Sequence, residues 1–480
     1  MIGIKHWHSE VIKMNDTPYI HLFETPLGYY VYDVNTNNII KIENELYDYL
    51  SGKAIKTQRI DAQIELLKRN GYLRTDRVEK TEHPMTELLP IYLDTKVGQL
   101  LLQVTQNCNL RCEYCIYSGN YNTREHSSKR MTWETAKKAI DFLIEHSKER
   151  QDIVLGFYGG EPLLAFGLIK ECVEYIEQLA SGKRIEYSIT TNGTLINREV
   201  IEFFVKYKFT VTVSIDGPKE IHDQSRRFFN SNIGSFDTMI ENVKCIRNYD
   251  EDYFNRYVRF NAVLLTDRSF NCVDDYFKGD DLFSEFSVSA NIVSDSFSKT
   301  ENKISSSFVE EQQYELFKFY LSKLRRLDPK KASSIFYKRY ELIKKISENR
   351  EEKSRECVPK KWHRGGPCIP GVFRTFVTVD GKLFPCEKVC EISKSSMIGT
   401  LEEGYDLDNI KKLLNIEKYT TEHCRECWAY SECTSCIQCM DENLGIRDSI
   451  LSKCSKIRKD IEGRLKDYTV LRELGCSFYL

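Results

Sequence analysis

The cysteines constrain this chain more strongly than any other feature of its sequence. The chain has 17 of them in 480 residues, and most fall into two groups. Cys108, Cys112 and Cys115 form the first group. The second group occupies the last quarter of the chain and comprises Cys357, Cys368, Cys386, Cys390, Cys424, Cys427, Cys433, Cys436, Cys439 and Cys454. The remaining cysteines are interpreted as structural or incidental, since free cysteine often behaves as a small buried hydrophobic residue: Cys172, Cys245, Cys272 and Cys476.

Charge and hydropathy predict a soluble cytoplasmic protein. Residues Met1 to Met14 contain no continuous apolar stretch, so no signal peptide is expected. No apolar run approaches the roughly 20 residues that a membrane span requires. The 69 basic and 71 acidic residues give a net charge of −2, which leaves no electrostatic footprint for nucleic acid or a membrane surface. Because a reducing compartment does not preserve disulfides, the clustered cysteines point to metal or redox chemistry.

Three regions are predicted along the chain: 1–88, 95–350 and 351–480. In the first, a β-rich run at 29–34, a turn at 35–38 and a second run at 39–42 indicate a hairpin. A helix follows, in which Ile60, Ile64 and Leu67 share a face, and Gly71 is placed to end it. A hairpin with short helices suggests a winged-helix domain, and a plain α+β cap is the alternative.

The middle region alternates strand and helix. Six β-rich segments are predicted at 100–104, 153–157, 185–190, 210–215, 258–265 and 286–292. Thr132 can cap one of the intervening helices. Six strands with helical crossovers imply an α/β fold with a parallel sheet, either open or curled into a partial barrel. Active sites of such sheets collect at the carboxyl ends of the strands.

The first cysteine group follows the first of these strands with the spacing C-x3-C-x2-C. Three thiolates can hold three irons of a [4Fe–4S] cluster and leave the fourth iron without a protein ligand. Catalysis at a metal requires such an open position, whereas a fully ligated cluster only transfers electrons. Taken alone, the triplet is also compatible with a zinc site or an incidental grouping.

Polar motifs stand at the ends of the following strands. Gly159-Gly160-Glu161 ends the second, and its glycines let a ligand approach closely while the carboxylate can accept from an ammonium group. Asn192 ends the third strand, and Ser214-Ile215-Asp216 ends the fourth. With the cysteine loop, these motifs resemble the radical SAM superfamily over about residues 95–300.

The resemblance implies a partial (β/α)6 TIM-like barrel whose open iron binds the amino and carboxylate groups of S-adenosyl-L-methionine (SAM). One-electron cleavage of SAM then gives a 5′-deoxyadenosyl radical. The SAM contacts implied by position are Gly159, Gly160 and Glu161 for the amino group, Asn192, Ser214 and Asp216 for the ribose and carboxylate region, Arg226 for the carboxylate, and Tyr114 for the adenine.

The second cysteine group resembles the SPASM extension of radical SAM enzymes that modify peptides and proteins. That resemblance implies two auxiliary clusters, hence three [4Fe–4S] clusters in all. By position, one would be held by Cys424, Cys427, Cys433 and Cys454, and the other by Cys368, Cys386 and either Cys436 or Cys439. The family pattern expects a cysteine where Ile437 stands, so the last ligand stays open between Cys357, Cys390, the unused member of the 436/439 pair, and none. A zinc ribbon is the alternative.

The same resemblance gives the first region a role. It is similar to the RiPP recognition element, which binds the leader of a ribosomally made precursor peptide as an added strand, here beside the hairpin at 29–42. The stretch from Cys115 to Ser127 is most similar to enzymes that install thioether links in Cys-rich precursors. The expected partners are such a peptide and an electron donor such as flavodoxin or ferredoxin.

Several alternatives to thioether formation stay open. They are carbon–carbon cross-linking, formylglycine formation as in sulfatase maturases, pure electron transfer, and a zinc-structured adaptor. No catalytic residue is assigned, because Glu387, which follows Cys386 where some relatives carry an acidic base, could equally be an exposed carboxylate.

Overall fold

The computed structural model describes residues 17–180, 182–283, 286, 288–293, 296–352, 355–365 and 368–478. Met1 to Met14, on which the expectation of no signal peptide rested, lie outside the described residues. Within the described ranges, no helix combines the length and the hydropathy that a membrane span requires.

The N-terminal part contains an antiparallel sheet followed by two helices. Its elements are β1 (Ile20–Thr25), β2 (Gly28–Asp33), β3 (Asn38–Ile42), α1 (Asn44–Leu50) and α2 (Gln58–Arg69). The predicted hairpin is confirmed as β2 and β3, and β1 pairs with the other side of β2. Ile60 and Ile64 of α2 are buried, and Gly71 follows the helix with φ +85°, as its predicted role in ending the helix requires.

A parallel sheet forms the centre of the molecule. After β4 (Lys80–Thr81) and α3 (Leu89–Thr95), its strands are β5 (Gln99–Thr105), β6 (Asp152–Gly159), β7 (Arg184–Thr191), β8 (Thr210–Ser214), β9 (Val258–Leu264) and β10 (Ser289–Ile292). The helices between them are α4 (Trp133–His146), α5 (Phe166–Leu179), α6 (Arg198–Lys206), α7 (Lys219–Ser225), α8 (Phe236–Tyr249), α9 (Glu251–Tyr257) and α10 (Phe270–Gly279). The strands lie side by side in chain order, so the predicted parallel α/β sheet is confirmed.

The C-terminal part extends this sheet instead of standing apart from it. Its elements are α11 (Ser306–Lys323), α12 (Tyr337–Glu352), β11 (Lys361–Trp362), β12 (Thr375–Val377), β13 (Lys382–Phe384), β14 (Gly399–Thr400), β15 (Gly404–Tyr405), α13 (Leu407–Leu414), α14 (Thr421–Arg425) and α15 (Ile446–Glu473). β12 pairs parallel with β5, and β13 to β15 continue antiparallel. Among the described residues the result is a mixed sheet of ten strands, an arrangement that periodicity did not indicate.

The N-terminal sheet docks on the C-terminal part. One of its faces packs on its own helices through Val31, Leu46 and Ile60. Aromatic residues of the other face pack against α12, α15 and the cysteine-rich segment; they are Tyr19, Phe23, Tyr30 and Tyr32. β4 and β11 also pair, which joins the segment after the N-terminal sheet to the C-terminal part.

Candidate functional site

The first cysteine group lies in the loop that leaves the carboxyl end of β5. Burial is the main cause that raises the pKa of the Cys108 thiol, and the nearby Glu161 carboxylate is the second. Cys112 and Cys115 are close enough to raise this pKa further. Burial also raises the pKa of Cys112 to about 12. The backbone N–H of Leu110 points at Cys108 Sγ at 3.3 Å. The structure therefore brings the three predicted sulfur ligands together and aims a backbone donor at one of them.

A second backbone donor, the N–H of Tyr117, lies 3.4 Å from Cys115 Sγ. In the described part of the chain, no three His, Cys, Asp or Glu side chains converge tightly enough to bind a single metal ion. Three thiols of one loop, two of them with a backbone N–H aimed at the sulfur, form a donor set that fits an iron–sulfur cluster.

Gly159 and Gly160 make the close contact that seats this loop. A Cβ at Gly159 would lie 2.1 Å from the carbonyl oxygen of Thr105, and one at Gly160 would lie 2.1 Å from that of Asn107. The N–H of Gly160 donates to the Thr105 carbonyl and that of Glu161 to the Asn107 carbonyl, both at 2.9 Å. The glycines are thus required by the backbone of the cysteine loop, and the ligand approach that the sequence predicted for them stays a prediction.

The Glu161 carboxylate is fully buried and holds the end of β7. Its Oε1 accepts from the Thr191 hydroxyl at 2.8 Å and from the Leu163 N–H at 3.0 Å, and its Oε2 accepts from the Asn192 N–H at 2.8 Å. Burial raises the pKa of Glu161 to about 6, against these hydrogen bonds. In this arrangement the carboxylate positions the loop beside Cys108, and its predicted contact with the SAM amino group stays a prediction.

Asn192 ties the end of β7 to the cysteine loop. Its Nδ2 donates to Asn109 Oδ1 at 2.9 Å and lies 3.8 Å from Cys108 Sγ. Asn109 in turn donates to the Thr194 hydroxyl at 2.8 Å. Asn192 therefore lies at the carboxyl edge of the sheet, as predicted, and beside the first cysteine, while its predicted contact with SAM stays a prediction.

Tyr114, Asp216 and Arg226 form a buried cluster next to Cys112. Arg226 donates to both Asp216 oxygens, from Nε at 2.9 Å and from Nη2 at 3.3 Å, and the Tyr114 hydroxyl also donates to Asp216. Burial opposes ionisation of Asp216, but the Arg226 charge outweighs it and the pKa of Asp216 is lowered. Arg226 Nη1 lies 4.0 Å from Cys112 Sγ. Ser214 ends β8 and is half-buried at the same sheet edge.

The C-terminal part brings a set of four cysteines together. Cys424 lies on α14 and Cys454 on α15, with Cys427 and Cys433 in the segment between these helices. Burial raises the pKa of Cys424 to about 12, and the other three cysteines are close enough to raise it as well. This set matches the one that the sequence assigned to one auxiliary cluster.

The other predicted set is assembled only in part. Burial raises the pKa of Cys386 to about 11, and Cys436 contributes, which places the two near each other. Cys436 also lies near Cys439. Cys368 is exposed, and within the described ranges no contact joins it to these three.

The two further candidates for the last ligand lie elsewhere. Cys357 is close to Arg74 of the N-terminal part. Cys390 is buried, with its Sγ 3.8 Å from the Asn122 carbonyl, in the chain that follows the first cysteine group. The contact of Cys390 thus links the C-terminal part to the first cysteine loop.

A buried polar cluster at that link was missed by the sequence reasoning. Arg124 and Glu391 form an ion pair at 3.0 Å, with their side chains 4% and 7% exposed. Gln103 donates to the Tyr117 hydroxyl at 2.8 Å and to Glu391 at 2.9 Å. The partners are distant in sequence, so no local pattern could have identified them.

Glu387 is not the exposed carboxylate that the sequence left possible. Its Oε2 accepts from Arg374 Nη1 at 2.7 Å, and its side chain is 13% exposed. Burial raises the pKa of Tyr158 above its usual range, and both Glu387 and Cys115 contribute. Tyr158 therefore lies between the first cysteine loop and the segment that begins at Cys386.

Comparison with known proteins identifies the domain that holds this site. The model of the Radical SAM superfamily matches residues 102–275, which are therefore a radical SAM domain. A cysteine-type anaerobic sulfatase-maturating enzyme from Clostridium novyi is 33% identical over 161 residues, 33% of this chain and 42% of that protein. A radical SAM cyclopropyl synthase from Paramaledivibacter caminithermalis is 28% identical over 219 residues, 43% of each protein. The chain spans less than half the length of these relatives.

A solved structure shows the same fold. Native anSMEcpe with bound AdoMet superposes with a TM-score of 0.58 over 78% of this chain and 99% of that one, at 22% identity. This likeness shows that the chain shares the fold of that protein.

Proposed function

We propose that this radical SAM domain belongs to a cytoplasmic enzyme that links a cysteine sulfur of a ribosomally made precursor peptide to a carbon of another residue. The observation that carries the proposal is the contact between the 386–391 segment and the first cysteine loop. Arg124 and Glu391 pair there, and Tyr158 lies beside both Cys115 and Glu387. A site that starts a radical and a segment that carries further cysteines meet in one place, as a two-electron oxidation requires.

In this proposal Cys108, Cys112 and Cys115 hold the cluster that binds SAM. When bound, the cluster and SAM supply the 5′-deoxyadenosyl radical. The N–H groups of Leu110 and Tyr117 stabilise the thiolates, because hydrogen bonds to sulfur favour the anionic form.

Arg226 and Glu161 are proposed to receive the charged groups of SAM. A guanidinium has five N–H donors. Asp216 takes two and Cys112 one, so two have no partner within the described chain and can bind a carboxylate. A carboxylate has about four acceptor positions, and the described contacts of Glu161 use three, which leaves one for an ammonium group.

Thioether formation requires an electron acceptor close to the radical. The adenosyl radical removes a hydrogen atom from a carbon, the cysteine thiol loses its proton, and the sulfur–carbon bond forms as one electron leaves. The grouping of Cys424, Cys427, Cys433 and Cys454, and the proximity of Cys386, Cys436 and Cys439, support two auxiliary clusters as acceptors, with Cys368 proposed as a further ligand. A flavodoxin or ferredoxin would supply the electron that cleaves SAM.

The N-terminal part is proposed to bind the leader of the peptide. β3 pairs with β2 on one side, and among the described residues no strand covers its other side. An extended leader can add there as a further strand and gain backbone hydrogen bonds.

Formylglycine formation is the second candidate. The similarity to a sulfatase-maturating enzyme favours it, and the same arrangement of cysteines would serve that oxidation. The two reactions differ in the fate of sulfur, because a thioether retains it and formylglycine made from cysteine loses it.

Mass spectrometry of the peptide distinguishes them. A short Cys-rich reading frame beside the gene is co-expressed with the enzyme, and the peptide is then treated with a thiol-alkylating reagent. We expect a loss of two hydrogen atoms per link, with sulfur retained and the linked cysteines resistant to alkylation. Loss of sulfur would favour the sulfatase-maturase reaction, and an unchanged mass despite 5′-deoxyadenosine production would refute peptide modification.

A further inference from the structure

Arg364 is a buried cation whose guanidinium makes no hydrogen bond to the described residues. The residue is 2% exposed, and none of its three guanidinium nitrogens has a hydrogen-bond partner among the described residues. Its nearest acidic oxygen, Oε2 of the equally buried Glu417, lies 3.4 Å from Nε. This one ion-pair contact leaves the N–H donors of the buried guanidinium unsatisfied, which is unfavourable and indicates a ligand at the site or a redox role.

The surroundings of Arg364 are the C-terminal cysteines. The N–H of Gly365 donates to the Tyr430 carbonyl at 3.2 Å, and a Cβ at Gly365 would lie 1.9 Å from the Ser431 carbonyl oxygen. Arg364 is thereby docked on the turn that leads into Cys433. Burial raises the pKa values of Cys433 and Cys439, and the positive charge of Arg364 partly opposes this rise at both thiols. The guanidinium thus lies close to both C-terminal cysteine sets.

We propose that Arg364 donates hydrogen bonds to the iron–sulfur cluster held by Cys424, Cys427, Cys433 and Cys454, and raises its reduction potential. The inference rests on the proposed function, which assigns a cluster to these cysteines. Reduction adds one negative charge to a cluster that is already anionic. A desolvated cation with free N–H groups stabilises the reduced state, which makes the cluster a better acceptor for the electron that leaves the substrate.

The reduction potential tests this directly. The full chain with Cys108, Cys112 and Cys115 changed to Ala lacks the SAM-binding cluster, so a redox titration monitored by electron paramagnetic resonance reports on the C-terminal clusters. In this background Arg364→Gln should shift the reduction equilibrium of one cluster at least tenfold toward the oxidised state. For a one-electron couple this lowers the reduction potential by about 59 mV. The matched control Glu417→Gln removes a negative charge and should shift the same equilibrium in the opposite direction.

A structural ion pair between Arg364 and Glu417 predicts a different result. Both variants would then destabilise the apo protein and leave the potentials unchanged, and that result overturns the proposal. If Arg364→Gln does not fold, the unchanged protein labelled with ¹⁵N-arginine answers the question. The reduced cluster should show hyperfine coupling to arginine nitrogen that is lost in Arg364→Lys, and the absence of that coupling refutes the proposal.

Iron and sulfide content separates this inference from the proposed function. If the Cys108, Cys112 and Cys115 variant binds neither iron nor sulfide, the auxiliary clusters of the proposed function are refuted and the role of Arg364 falls with them. If the clusters load but show no shift and no coupling, only the role of Arg364 is refuted.

Discussion

Replacing Gly160 by Ala tests whether the Gly-Gly-Glu segment seats the cysteine loop. A Cβ at this position would lie 2.1 Å from the Asn107 carbonyl oxygen and 3.1 Å from the Cys108 N, whereas such contacts essentially never fall below 3.0 Å. One of the two segments must therefore move by about 0.9 Å. The neighbouring hydrogen bonds to the Thr105 and Asn107 carbonyls, worth about 1 kcal/mol each, would be strained or lost.

The consequence for catalysis follows from the size of this displacement. A shift of about 1 Å in a reacting group can lower a rate about 100-fold. We therefore expect Gly160→Ala to produce 5′-deoxyadenosine from SAM about 100-fold more slowly, measured anaerobically by chromatography with excess reductant. The apo protein should also unfold at lower denaturant concentration than the unchanged chain.

Gly167 provides the matched control. It lies in the first turn of α5, and the described residues place nothing within 4 Å of a Cβ built there. Gly167→Ala should leave SAM cleavage unchanged and stabilise the protein by about 0.5–1 kcal/mol, since alanine is the better helix residue. If Gly160→Ala cleaved SAM as fast as Gly167→Ala, the glycines would not be needed to seat the loop.

Three further predictions concern buried ionisable groups. Arg226→Gln should destabilise the apo protein by about 3–5 kcal/mol in chemical denaturation, because the Asp216 charge stays buried without its partner; a loss below 1 kcal/mol would contradict this. Glu391→Gln should lower the free energy of unfolding by a similar amount, because Arg124 is left unpaired. It should also lower the yield of modified peptide per 5′-deoxyadenosine. An unchanged ratio would show that the pair does not couple the two cysteine sets. Burial lowers the pKa of His83 to about 4, so the fold favours the neutral imidazole, and the free energy of unfolding should fall as the pH drops from about 6.5 to 4. His83→Asn should remove that part of the pH dependence. Identical pH profiles of the two proteins would refute the prediction.

The sequence could predict the parallel sheet because strands and helices carry local periodic patterns. The apolar run from Leu100 to Val104 is buried throughout, as a strand covered on both faces should be. The motifs at the strand ends were also readable, since the carboxyl ends of parallel strands meet at one edge. That is why Asn192 and Asp216 both lie near the cysteine loop, where Arg226 joins Asp216 from the end of α7.

The contacts between distant parts of the chain could not be predicted. The pairing of β12 with β5 joins short segments whose periodicity carries no information about their partners. The backbone contact at Gly159 and Gly160 could not be predicted for a similar reason, and the ligand approach predicted there stays a prediction. A glycine in a motif shows that something approaches the backbone closely, but a ligand and a neighbouring loop produce the same pattern in one sequence.

The missed ion pair changes how the two cysteine sets are understood. Arg124 and Glu391 lie where water is excluded, so separating them would leave two uncompensated charges, and the cost of that separation holds the 386–391 segment against the first cysteine loop. Arg124 also donates from Nη2 to the Val389 carbonyl at 2.6 Å, which fixes the backbone just before Cys390. The 386–391 segment is therefore held against the first cysteine loop by a buried contact, and in the proposed reaction an electron that leaves the substrate there would pass to the C-terminal cysteines without a movement of domains.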